Sequence, residues 1–378
     1  MKILLLSPLF PPDTGGSATA FHLLFRHLCS DDSVQTVWVL CETDTGRPRI
    51  ERLNAKGRLL RFLPPLGRIS GYDKRNPVWK AYLVLRRSLV LLLLLPILTR
   101  IFEADVIHFH ATFGHINGRY RNLLFEWALK LSRGRKVCDV QDRRARALHS
   151  SLADMFIANS MKIKDEMDNS KNLRGARIEY LPVPIALAPA RGGTNISETT
   201  DRILPQDAFF CFVGDLWAPK GLYPLLAAHR QLLKSSSYRL SMVMIGRDKT
   251  GGWIRGCLDD RTIWLGMLPH SDVLHAIERS RFLILPSFSE GIPRVCLEAL
   301  ALGIPIVYPP DIEEFNKYIP AYMLPEITPE AIKEMIQKML SGNHSQHYPI
   351  HHHDARLLYE RLRTLYRECL SSGEPAGF

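Results

Sequence analysis

The sequence predicts an α/β protein made of two Rossmann-like domains, each a parallel sheet flanked by helices. Three observations carry this. Apolar runs of strand length alternate with segments of helical spacing. The alternation stops between residues 186 and 205, where all periodicity is lost, and then restarts. The 378 residues suffice for two separate cores. The implied division is residues 1–185, a linker at 186–205, residues 206–345, and a C-terminal stretch at 346–378.

Residues 2–7 read as a buried parallel strand, followed by a Pro/Gly loop and an amphipathic helix from about Ser17 to Cys29. Strands follow at Val34–Leu40 and, weakly, Arg58–Phe62. A long helical region covers about 77–102. Next come a strand at Val106–His110, a helix near Asn122–Leu131, and strands at Val137–Val140 and Met155–Ala158. After the linker the pattern is a strand at Phe209–Val213, a helix at Leu222–Lys234, strands at Ser241–Ile245 and Thr262–Leu265, a helix at Ser271–Ser280 and a strand at Phe282–Leu285. Asp354–Leu370 has helical spacing, and there is no internal repeat of solenoid period. Two such domains leave a cleft between them, the default place for a ligand.

Charge is divided unevenly. Residues 1–185 hold 29 Lys+Arg against 17 Asp+Glu, a net of +12, and the remainder has a net of −1. A one-sided basic surface fits an extended anionic partner: a membrane surface, a lipid diphosphate or nucleic acid. Plain solubility is the other reading. No aromatic-interleaved basic stretch supports nucleic acid, and none is expected as a partner. The seven cysteines are scattered, without a C-x-x-C pair, as in a reduced compartment. The apolar run at Met1–Pro8 is too short for a signal peptide. Leu89–Leu98, broken by Pro96, falls short of the ~20 residues that span a bilayer. Beside it stand Lys74, Arg75, Trp79, Lys80, Arg86 and Arg87. Two readings remain: a helix in a membrane interface, and a helix buried against the sheet, which the leucines favour. A cytoplasmic location is expected, with the inner membrane face open to the basic half.

The most informative segment is Ser289–Gly303, lying between two apolar strand patterns. Glu290 sits in a loop at the C-terminal end of a strand and Glu298 on the helix beyond, the edge where open α/β sheets bind ligands. Two acids beside free N–H groups at a helix start suit a polyhydroxy ligand carrying phosphate. Alone, the pair also reads as a capping acid and a solvated helix acid. Four more landmarks lie around it: Gly15 and Gly16 between the first strand and helix; His108 and His110 on one face of the Val106–His110 strand; Gly214-Asp215-Leu216-Trp217-Ala218-Pro219-Lys220-Gly221; and the turns Met244–Arg247 and Trp264–His270.

Together these resemble the retaining glycosyltransferases of the GT-B fold, family GT4, whose E-x7-E motif the Glu290…Glu298 segment matches. The resemblance covers nearly the whole chain. It implies an acceptor-binding N-terminal domain, a nucleotide-sugar-binding C-terminal domain facing it across a cleft, and a last helix returning to the N-terminal domain. It implies transfer of a hexose-type sugar from a nucleoside-diphosphate sugar to a hydroxyl of a lipid-linked or polysaccharide acceptor. His110, Glu290 and Lys220 would be catalytic. Gly15, Gly16, Lys220, Gly246, Met267, Leu268, Glu290, Arg294, Val295 and Glu298 would hold the donor, with Glu298 on the ribose and amides near Pro293–Val295 on phosphate. No metal or other cofactor is implied. His344, His347, His351, His352 and His353 lie away from these motifs.

The chain departs from the family pattern in four places. Asp215 stands where the family has an arginine, and a carboxylate beside a diphosphate repels it. Either Asp215 turns away or another cation compensates, with Arg294 the expected substitute. Gln141 replaces a common histidine, Tyr180–Pro184 lacks the usual Asn-Gly, and Asp311–Glu314 replaces a glycine-rich turn. A catalytically silent sugar-nucleotide binder is the alternative these departures leave.

Overall fold

The computed structural model describes all residues except 12–15, 43–48, 64–76, 117–119, 142–146, 188–202, 236–237, 343 and 373–378. The chain falls into two compact units, Met1–Ala186 with Ala355–Phe378, and Leu187–Asp354. The central part of the expected linker and the tail lie outside the described residues.

The first unit contains β1 (Lys2–Leu6), β2 (Thr36–Glu42), β3 (Arg49–Arg52), β4 (Gly57–Leu63), β5 (Val106–His110), the small hairpin β6 (His115–Ile116) and β7 (Tyr120–Arg121), β8 (Arg135–Val140), β9 (Met155–Ala158) and β10 (Ile178–Tyr180). The main sheet runs β10-β9-β8-β5-β1-β2-β4-β3, parallel except for β3 against β4. Its central strands, such as β1 and β5, are largely apolar and buried because both faces are covered. Ile3, Leu5, Val37, Val39, Val106 and Ile157 pack under the helices Gly16–Ser30 and Ala355–Ser371. Leu4, Leu6, Ile107, Phe109, Cys138 and Phe156 pack under Pro77–Ile101 and Leu123–Leu131. The period-two alternation thus sorts each strand between two cores.

The leucine-rich helix corrects the burial expectation. Leu91 and Leu95 are fully buried, whereas Leu89, Leu93 and Ile97 face outward. Arg87, read beside the run as a possible interfacial cation, is buried. Its guanidinium lies 4.7 Å from the Phe113 ring centroid and 3.8 Å from Glu42, and burial lowers its pKa.

The second unit contains β11 (Phe209–Val213), β12 (Ser241–Ile245), β13 (Thr262–Trp264), β14 (Leu283–Ile284) and β15 (Ile306–Val307), in the all-parallel order β13-β12-β11-β14-β15. Strand order reverses between β11 and β14. Their following loops therefore lie side by side at the carboxyl edge, the topological switch point. The helix Pro329–Leu340 adds a face the sequence reading did not include. Thr328 caps it by accepting from the Ala331 amide, Pro329 occupies the first turn, and Ile332, Met335, Ile336 and Met339 are buried.

Candidate active site

The switch point holds the strongest sequence candidates. Gly221 has φ +69°, and a Cβ there would lie 1.8 Å from the Pro286 carbonyl oxygen. Only glycine lets the loop after β11 rest on the loop after β14. The Phe288 amide donates to the Pro219 carbonyl at 3.0 Å and fixes that contact. The result is an ion pair between Lys220 Nζ and Glu290 Oε1, with the Glu290 side chain only 13% exposed.

The helix Arg294–Ala301 starts immediately beyond. Pro293 has no N–H, so it cannot donate to a ligand. Its carbonyl instead accepts from Cys296 and Leu297, and no side chain caps the helix. The amides of Arg294 and Val295 remain as first-turn donors without an intrahelical acceptor. Nε and Nη1 of Arg294 are buried and find no protein partner among the described residues. Glu298 lies one turn along the same face. Burial raises its pKa, while the charges of His270 and Arg294 oppose that shift. His270 Nε2 is 3.6 Å from Glu298 Oε1. One helix start therefore presents amide donors, an unsatisfied guanidinium and a largely buried carboxylate, groups that suit phosphate and a vicinal diol.

Asp215 is paired with a cation of the neighbouring loop. Lys249 Nζ pairs with Asp215 Oδ2 and lies 5.0 Å from the Trp217 ring centroid. The backbone brings them together: Leu216 donates to Arg247 at 2.9 Å and Lys249 donates to Leu216 at 3.1 Å. Gly246 permits this approach. A Cβ there would lie 1.9 Å from the Gly214 carbonyl oxygen, and the Gly246 amide already donates to Gly266 at 2.7 Å. Gly246 thus holds two loops together, and its N–H is committed within the protein. Met267 is exposed and Leu268 half-buried on the neighbouring turn.

His110 belongs to the first unit, at the end of β5. Its Nδ1 accepts from the Thr112 amide at 3.1 Å, which fixes the ring. In register beside it, Asp139 of β8 accepts from Gln141 at 2.7 Å and from Asn159. Burial acts to raise the Asp139 pKa, but His108, His110 and Gln141 hold it below the usual carboxylate value. His108 is a core residue whose Nδ1 contacts the Tyr366 hydroxyl at 2.5 Å. Gly16 opens the first helix, and Gly15 lies outside the described residues.

The C-terminal histidines have structural contacts. His353 Nε2 meets the Tyr348 hydroxyl at 2.8 Å, and His344 Nε2 meets the Lys338 carbonyl at 2.9 Å. Among the described residues no group of three His, Cys, Asp or Glu could hold a metal ion.

Sequence reasoning missed Lys249, Trp217 and His270. Only the motif order around Gly246 and Pro269 could have pointed to Lys249 and His270.

Comparison with known proteins bears on the family and the fold. The family described as "Glycosyl transferases group 1" matches residues 199–353, and that part of the chain belongs to it. The protein as a whole has the GT-B fold. It is similar to TuaC of Bacillus subtilis, named as a teichuronic acid biosynthesis glycosyltransferase, at 30% identity over 41% of this chain and 38% of that protein. It also resembles the lipopolysaccharide 1,6-galactosyltransferase of Escherichia coli, at 29% identity over 44% of this chain and 45% of that protein. The matches thus span less than half of either relative. Among solved structures, sucrose-phosphate synthase from Thermosynechococcus elongatus aligns with TM-score 0.69 at 15% identity, covering 98% of this chain and 99% of that one. The UDP-forming α,α-trehalose-phosphate synthase from Burkholderia xenovorans aligns with TM-score 0.70 at 14% identity, covering 97% and 99%.

Proposed function

We propose that the protein is a retaining glycosyltransferase that moves a hexose-type sugar from a nucleoside-diphosphate sugar to a hydroxyl of a lipid-linked or polysaccharide acceptor. The observation that carries the proposal is the Lys220–Glu290 pair at the switch point, one loop away from Arg294 and Glu298. The two charges neutralise each other in the free protein. A bound donor would exchange that pairing, giving the ammonium a phosphate oxygen and the carboxylate a sugar hydroxyl. Glu298 would accept the ribose hydroxyls. The Arg294 and Val295 amides and the Arg294 guanidinium would take diphosphate oxygens.

In the proposed reaction the bond from the anomeric carbon to the diphosphate oxygen breaks and a bond to the acceptor oxygen forms on the same face. The departing diphosphate takes the acceptor proton. Lys220 and Arg294 stabilise its growing negative charge, so the proposal needs no metal. His110 is assigned the contact to the transferred sugar.

The acceptor class is supported by the polysaccharide and lipopolysaccharide products named for two relatives. The basic first half supports a peripheral contact with an anionic membrane at its cytoplasmic face. Incubation with UDP- and GDP-hexoses, followed by detection of released nucleoside diphosphate and of the anomeric configuration of the product, tests the proposal. Turnover with retention supports it. Donor binding without turnover for any acceptor tried would leave the silent sugar-nucleotide binder in its place.

A further inference from the structure

We infer that the first unit docks on an anionic lipid bilayer through one apolar face formed by the helices Pro77–Ile101 and Leu123–Leu131. The inference rests on the membrane contact proposed above and gives it a surface.

Leu85, Leu89, Leu93, Ile97 and Ile101 repeat every four residues, so they form one slowly turning stripe about 24 Å long. All are exposed, Leu93 at 69% and Ile101 at 68%. The second helix packs beside the first and exposes Leu123, Trp127 and Leu131 at the same spacing. Scattered exposed leucines are ordinary, but two adjoining stripes make a contiguous patch of the kind that marks an interaction site.

The polar surroundings identify the occupant. Pro77–Ile101 contains no acidic residue. Glu126, the one acid of Leu123–Leu131, is buried and bonded to Arg121. Arg100, Lys130 and Arg133 are exposed near the ends of the two helices. Tyr82, Tyr120 and Trp127 are exposed on or beside the face, and Lys130 lies 5.5 Å from the Trp127 ring centroid. Leucines for acyl chains, Tyr and Trp for the interface and cations for headgroups are the composition of a helix face lying in a membrane surface. No described helix is long and apolar enough to cross a membrane. Leu91 and Leu95 commit the opposite side of the leucine helix to the core, so the face lies on the bilayer. A second copy of this chain fits less well, because a two-fold contact would bring Arg100 and Lys130 of both copies onto one face.

Vesicle co-sedimentation of the full chain tests the inference, with no donor or acceptor present. Phosphatidylcholine vesicles are compared with phosphatidylcholine containing phosphatidylglycerol, at low and high salt. Expected is binding to the anionic vesicles that weakens with salt, falls at least about tenfold in Leu93→Glu/Ile97→Glu, and falls about fivefold for each of Arg100→Gln and Lys130→Gln. Nucleoside diphosphate release with a soluble acceptor stays at the wild-type level in all variants. Equal binding by Leu93→Glu/Ile97→Glu would overturn this face while leaving a membrane contact elsewhere. Absence of binding to any vesicle would overturn both, with the transferase reading judged separately by turnover. A wild-type dimer in solution that Leu93→Glu splits would assign the face to self-association. A large loss of melting temperature in Leu93→Glu/Ile97→Glu would contradict the exposure on which the argument stands, and Arg100→Gln and Lys130→Gln would still read the charge dependence.

Discussion

Lys249 is the ion-pair partner of Asp215, the residue directly after Gly214 at the end of β11. A carboxylate that would repel a diphosphate is thus neutralised by the neighbouring loop. Lys249→Ala is expected to weaken donor affinity by roughly tenfold, because it leaves Asp215 charged and unpaired. Asp215→Asn in the same chain should recover most of that loss. Calorimetric titration of the double-mutant cycle with UDP- or GDP-hexose checks both parts, and additive losses would contradict the coupling.

Glu298 sets stability against binding. Its pKa is raised by burial, so its charged form costs the fold some stability at neutral pH, a cost that disappears as pH falls through the raised value. Glu298→Gln should therefore raise the stability of the free protein at pH 7 while weakening donor binding. Wild-type donor affinity should fall on acidification with a midpoint above that of an ordinary glutamate. Melting curves and titrations across pH read the two effects independently.

His229 makes the second unit acid-sensitive. It is buried between the Tyr238 hydroxyl at 3.2 Å and the Arg261 carbonyl at 3.1 Å, and burial lowers its pKa from 6.5 to about 4. The unfolded chain takes up a proton below pH 6.5 that the folded chain refuses until about pH 4. Stability is thus lost as pH falls through that window, by a total of about 3 kcal/mol. Denaturant unfolding at several pH values should show this slope, and His229→Gln should flatten it.

How much of this was legible in the sequence depends on distance along the chain. Glu290, Arg294 and Glu298 could be read because a strand, a loop and a helix start are consecutive there. Lys220 was legible through the family resemblance, whose lysine it matches. Lys249 was not, because its partner Asp215 is reached only through the pairing of β11 with β12. The leucine helix failed for a different reason. A side chain's apolarity does not say which side of the helix the sheet covers when leucines occupy both, and only packing separates Leu91 and Leu95 from Leu89 and Leu93.

Lys220→Ala should lower kcat by roughly a hundredfold or more, and it should lower the melting temperature modestly because Glu290, only 13% exposed, loses its cation. A large stability loss with unchanged kcat would make the pair a structural strut.

The most direct measurement is release of nucleoside diphosphate from UDP- and GDP-hexoses by the wild type and by Glu290→Ala, compared at equal melting temperature. Acceptor-dependent release by the wild type, reduced at least about a hundredfold in Glu290→Ala, is the predicted result. Equal release by the two proteins would contradict the assignment of Glu290 and, with it, the active site at the switch point.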